Sequence, residues 1–94
     1  MKAEHVKTSS GFEAEIDIDR INDMDFVELL AESQGEGWTG AYRIGVYILG
    51  KDGYSELKDH IRKQNDGACT PAMFDKEIGE LLTEAGRKNR LLKN

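Results

Sequence analysis

The chain has one cysteine, one proline and one tryptophan in 94 residues. A lone Cys69 cannot close an internal disulfide, which points to a reducing compartment. No apolar run approaches the ~20 residues of a membrane span. Met1-Lys2-Ala3-Glu4-His5 is not followed by an apolar stretch, so no secretory leader is expected. Basic residues are scarce in the first half: between Glu13 and Glu36, nine acids stand against Arg20 alone. With a net charge of -5, that balance argues against nucleic acid as the main partner, because phosphates need a basic surface. Internal repeats and low-complexity segments are also missing.

What remains is a small, charged domain. Charged residues make up 33% of the chain, above the usual ~25%. A chain of this length buries only roughly 60–65% of its unfolded surface. Either a modest core carries much solvated face, or a partner completes some apolar surface. The expected organisation is one domain over residues 1–86 and a basic, flexible tail over 87–94, where Arg87, Lys88, Arg90 and Lys93 meet no acid.

Periodicity predicts an α+β fold, predominantly helical. Residues 2–8 alternate, with Ala3, His5 and Lys7 on one side and Glu4, Val6 and Thr8 on the other. Phe12, Ala14, Ile16 and Ile18 alternate with Glu13, Glu15, Asp17 and Asp19. A period of two is a half-buried strand, and Ser9-Ser10-Gly11 supplies the turn of a β-hairpin. The period then lengthens. Asn22 is the expected cap of a helix carrying Phe26, Val27, Leu29, Leu30 and Ala31 to about residue 33. Gln34-Gly35-Glu36-Gly37 breaks it, and Trp38-Thr39-Gly40 continues that mobile loop. Ala41, Ile44, Gly45 and Ile48 share a helical face that stops at Gly50, although Val46-Tyr47-Ile48-Leu49 also has strand propensity. Asp52 opens the next helix, with Tyr54, Leu57 and Ile61 at helical spacing, and Asn65-Asp66-Gly67 ends it. Thr70 and Pro71 mark a cap and a first helical residue. Phe74, Ile78, Leu81, Leu82 and Ala85 stripe the last helix, with Gly86 as its expected stop. The sum is an N-terminal β-hairpin followed by about four α-helices.

The chemistry-bearing residues do not assemble into a catalytic pattern. His5 and His60 are far apart and read as surface or boundary histidines. Cys69 has no base in its neighbourhood and reads as a free structural thiol. The acids from Asp17 to Asp25 lack the central glycine and terminal glutamate of a calcium loop, so they read as a strand end and a helix cap. Gly35 and Gly37 lack the context of a phosphate cradle. The break at Gly50 could imitate a helix-turn-helix, but Glu56 and Asp59 offset Lys58, Arg62 and Lys63. No catalytic residue, cofactor site or metal site is expected. Trp38 is either folded over the core or an exposed anchor, since tryptophan is enriched at interface hot spots. Trp38, Tyr42 and Tyr54 are the candidate partner-binding residues.

In order and spacing, the pieces resemble the tail assembly chaperone family of long-tailed bacteriophages and prophages. They are Thr8-Ser9-Ser10-Gly11-Phe12-Glu13-Ala14-Glu15-Ile16-Asp17, then Asp23-Met24-Asp25-Phe26-Val27-Glu28-Leu29-Leu30-Ala31, then Ile48-Leu49-Gly50. Tyr54-Ser55-Glu56-Leu57-Lys58-Asp59-His60-Ile61-Arg62 and a final amphipathic helix ending in Gly86-Arg87-Lys88-Asn89 follow. The loop from Gly35 to Gly40 and the extra Arg90-Leu91-Leu92-Lys93-Asn94 depart from the pattern. The resemblance implies a non-enzymatic factor of the bacterial host cytoplasm. It would coat the tape-measure protein, assist assembly of the tail-tube protein around it, and occur in short and frameshifted long forms. An exposed hairpin edge, and apolar faces too numerous for a 94-residue core, also predict self-association as a homo-oligomer. The alternative expectation is a structural phage component, such as a head–tail connector or minor tail protein. A small DNA-binding regulator is a third class, disfavoured by the acidic balance. Neither nucleic acid nor membrane is an expected partner.

Overall fold

The computed structural model of the chain describes residues 2–35 and 37–93, with the side chains of Trp38 and of residues 89–93 outside that description. Two antiparallel strands open it: β1 (Ala3–Lys7) and β2 (Glu13–Asp17), with Val6 opposite Ala14 and Glu4 opposite Ile16. The helices are α1 (Ile18–Ile21), α2 (Met24–Ser33), α3 (Trp38–Gln64) and α4 (Pro71–Lys93). The expected α+β, mainly helical architecture is what forms. None of these helices, among the described residues, is long and apolar enough to cross a membrane.

The alternation of the hairpin puts Val6 and Ile16 inward, with Phe12 and Ile18 at the strand ends. They meet Phe26 from α2, Ile48, Leu57 and Ile61 from α3, and Phe74, Ile78, Leu81 and Ala85 from α4 in one buried cluster. The apolar stripes of α3 and α4 are the ones that helical spacing predicts. Aromatic stacking ties α2 to α3, since Phe26 and Tyr47 lie 5.4 Å apart at 16°. Tyr47 Oη also donates to the Arg20 carbonyl at 3.1 Å, and the Arg20 guanidinium lies 4.2 Å from the ring centre.

The hairpin turn is latched to the helices by polar groups. Gly11 N donates to the Thr8 carbonyl and Phe12 N to Thr8 Oγ1, with Gly11 at φ 95°. Ser9 N and Ser9 Oγ donate to the Glu80 carboxylate at 2.7 and 3.1 Å. The backbone donor, then the hydroxyl, holds the Glu80 carboxyl below its ordinary range. Gln64 donates to the Ser10 carbonyl at 2.8 Å.

Four local readings change. Asn22 does not cap α2; Asp23 does, accepting from Asp25 N at 2.8 Å. Asn22 instead closes the extra turn α1, which Asp17 caps by accepting from Asp19 N and Arg20 N. An aspartate two residues before a free N–H satisfies an orphan donor wherever the backbone bends. Trp38, Thr39 and Gly40 lie not in a loop but in the first turn of α3, after Gly37 reverses the chain at φ 62°. Gly86 does not stop α4, whose backbone runs on to Lys93. Gly86 is not among the positive-φ glycines, so the left-handed turn that ends a helix never forms. Arg87 pairs with Glu84 at 2.5 Å, and Lys88 Nζ donates to the His5 carbonyl. Asn94 lies outside the described residues. The expected break at Gly50 is present as a kink within α3, with φ 75° and ψ 172°.

Candidate protein-docking surface

Helix α2 has more apolar residues than one face can bury. Phe26 points into the core and Leu29 packs against it. Met24, Val27 and Leu30 remain 64%, 50% and 37% exposed. Residues three and four apart share a helix face. Met24, Val27 and Ala31 therefore form an outward apolar row, and Asp25, Glu28 and Glu32 form an acidic row beside it. The last turn of α2 holds no basic residue. Glu32 is bridged to Arg43 of α3 at 3.3 Å. Asp25 and Glu28 have no ion-pair partner among the described residues.

On its other flank the apolar row opens into a groove of about 430 Å³, with Leu30, Ser33, Ala41, Ile44 and Asp75 among its lining residues. Gly40 sets the depth of this groove. A Cβ there would stand 2.8 Å from both Ser33 Cβ and the Ser33 carbonyl oxygen, so only glycine lets α3 come this close to α2. Ser33 Oγ is buried without a hydrogen-bond partner among the described residues.

Ala41 also lines a second recess, of about 130 Å³, with Tyr42, Tyr54, Cys69 and Pro71. Tyr42 and Tyr54, twelve positions apart in sequence, meet edge to face at 5.1 Å and 89°. Tyr54 leans on Phe74 at 5.1 Å, and Lys58 Nζ lies 5.1 Å from its ring centre. Tyr42 stays 47% exposed. Two of the three residues singled out in the sequence thus come together on one edge of α3. The side chain of the third, Trp38, lies outside the described residues. Sequence reading missed Leu30, Ala41 and Ile44 as a groove. The signal was the surplus of apolar positions in α2.

One trio has the residue types of a nucleophilic triad. Ser10 Oγ donates to Glu77 Oε1 at 2.9 Å and lies 3.0 Å from His60 Nε2. The wiring differs from a triad. A hydroxyl has one hydrogen, and here it goes to the carboxylate, so His60 Nε2 is the donor toward serine. An activating base must accept that hydrogen, with the carboxylate behind the imidazole. Glu77 is buried and holds the turn instead. His5 lies elsewhere, on the exposed face of the hairpin, between Glu13 and Glu15. Among the described residues, no group of three or more His, Cys, Asp or Glu is arranged to hold a metal ion. Compared with known proteins, the chain matches no family model, no curated protein and no solved structure.

Proposed function

We propose that this chain is a non-enzymatic assembly factor of the phage tail assembly chaperone kind. It works in the bacterial cytoplasm, covers an amphipathic helical segment of a tape-measure protein, and keeps that protein soluble while tail-tube subunits assemble. One observation carries the reading: an amphipathic helix whose outer row, Met24 and Val27, is left uncovered beside the groove at Leu30 and Ile44. Exposed apolar rows rimmed by charge mark protein-binding surfaces. An amphipathic helix laid in a groove is a recurrent way to cover them. Self-association belongs to the same proposal. Among the described residues the sheet has two strands, and a sheet edge without a strand neighbour is a template for pairing with another chain.

Co-expression tests the reading. A tape-measure protein that is insoluble alone is expected in the soluble fraction with this chain present. Titration with soluble fragments is expected to show the negative heat-capacity change of apolar burial. A tape-measure protein that stays insoluble, with no heat of binding, removes the proposal. Finding the chain in purified phage particles would move the reading to a structural tail component.

A further inference from the structure

We infer that the outer face of α2 takes a cationic amphipathic helix from another protein. The occupant carries an apolar row bordered on one side by lysine or arginine. This inference rests on the assembly-factor reading and names the chemistry of the segment that is bound.

Two parallel rows of α2 carry the argument. Met24 and Val27 are more than half or half exposed, and Asp25 and Glu28 stand one position away on the same helix. A partner helix lying along the apolar row brings its own flanking side chains to the acidic row. Lysine or arginine there pairs with Asp25 and Glu28, while glutamate or aspartate meets like charge at close range. Steering by complementary charge also excludes wrong partners. Leu30 and the groove beyond it, at Ala41 and Ile44, receive the larger apolar side chains of the occupant.

A second copy of the chain is a poorer occupant. It carries a net charge of -5 and so brings acid to an acidic row, and of its described cations near the end of α4, Arg87 is engaged with Glu84 and Lys88 with the His5 carbonyl. Beside α2, Arg43 is bridged to Glu32, and Arg20, which lines the recess at Asp25, lies against the Tyr47 ring. A partner segment of opposite charge fits Asp25 and Glu28 better than a second acidic copy does.

The test uses two synthetic helical peptides with the same leucine row, one flanked by lysine and arginine and one by glutamate. Each is titrated into the full chain by calorimetry in low salt. The cationic peptide is expected to bind about tenfold more tightly, the size that two or three exposed ion pairs provide. Val27→Glu, a change at an exposed position, should abolish binding while circular dichroism and melting stay unchanged. Glu28→Lys, which leaves Asp25 in place, should remove most of the preference between the peptides. Equal binding of both peptides, no binding of either, or Glu28→Lys without effect overturns the inference. So does an oligomer that dissociates on Val27→Glu, since it assigns the face to a second copy. Val27→Glu and Glu28→Lys are also co-expressed with the tape-measure protein. Unimpaired solubilisation sinks the α2 inference and leaves the assembly reading standing. Failure of the unaltered chain to solubilise, with peptide preference intact, does the reverse.

Discussion

His5 stands opposite Glu15 across the hairpin and reaches Glu13 as well. Its Nε2 lies 2.7 Å from Glu13 and its Nδ1 3.0 Å from Glu15. Two carboxylates can be satisfied at once only if both ring nitrogens carry hydrogen, which is the imidazolium form. The bond to Glu13, then that to Glu15, raises the His5 pKa above its ordinary 6.5. The same His5 bond lowers the Glu13 pKa from 4.5. The linkage has a definite sign. The His5 contribution is fully present below about pH 6.5 and is lost as pH rises through the raised value. The Glu13 contribution is present above its ordinary range and is lost as pH falls through the lowered value. An NMR titration should place the His5 midpoint above 6.5, and His5→Gln should cost less stability at alkaline pH than near neutrality. A midpoint at or below 6.5 contradicts the bridging geometry. Ser33 is a second residue-scale case. Its buried hydroxyl has no partner among the described residues, so Ser33→Ala loses none of the described hydrogen bonds and removes a desolvated polar group. Stability should hold or rise by up to about 2 kcal/mol, measured by denaturant unfolding. A loss above about 1 kcal/mol would reveal a partner for Oγ.

Among the elements, α3 shows how local signals and tertiary demands divide the work of glycine. Gly50 is locally legible: an apolar run stops there and polar residues follow. Its φ of 75° with ψ of 172° belongs to a region open essentially to glycine alone. A Cβ at Gly50 would meet nothing within 4 Å, so the whole cost of Gly50→Ala is backbone strain. A loss of about 1–3 kcal/mol is expected in chemical denaturation. An unchanged midpoint would mean that the kink relaxes into continuous helix. Gly45 is the opposite case. In sequence it only weakens a helix, by about 1 kcal/mol relative to alanine. In the fold, a Cβ there would stand 2.8 Å from the Phe74 ring, a contact made by a residue of another helix. No window of sequence around Gly45 contains that reason. The same holds for Gly40 against Ser33.

At the scale of the whole molecule, one core serves the hairpin and all the helices. Leu81 is fully buried in it. Leu81→Ala should cost roughly 2–5 kcal/mol, a large part of the stability of a domain this small. A single cooperative transition should move to lower temperature for the hairpin and helices together. An unchanged melting temperature would show that this face is not core. The molecule extends 41 × 29 × 19 Å, and self-association through a sheet edge or an apolar face does not depend on charge. Oligomers should therefore persist in sedimentation at about 1 M salt, where screening acts within about 3 Å. A strict monomer at high protein concentration would leave the chain without the self-association proposed for it.

Local order was largely decided by the sequence itself. Period-two alternation placed both strands, Thr70 and Pro71 placed the start of α4, and the row Phe74, Ile78, Leu81 and Ala85 named its buried face. Those signals act over a few residues, through hydrogen bonds and side-chain spacing that any short segment carries with it. Helix ends were less legible. Asp17, Asn22 and Asp23 are all competent caps, and the choice among them depends on where the chain must turn to bury Ile18. Gly86 offered a stop that α4 did not take. The candidate site belongs to the tertiary structure. The sequence marks six apolar residues in α2 but not which of them stay outside. That is settled where α2 packs on α3, with Phe26 against Tyr47 and Ser33 against Gly40, which leaves Met24 and Val27 outward. Tyr42 and Tyr54 meet only because the kink at Gly50 lies between them, and Ser10 reaches Glu77 across sixty-seven positions. Contacts between residues so far apart in sequence are set by packing, which no local pattern of residues encodes.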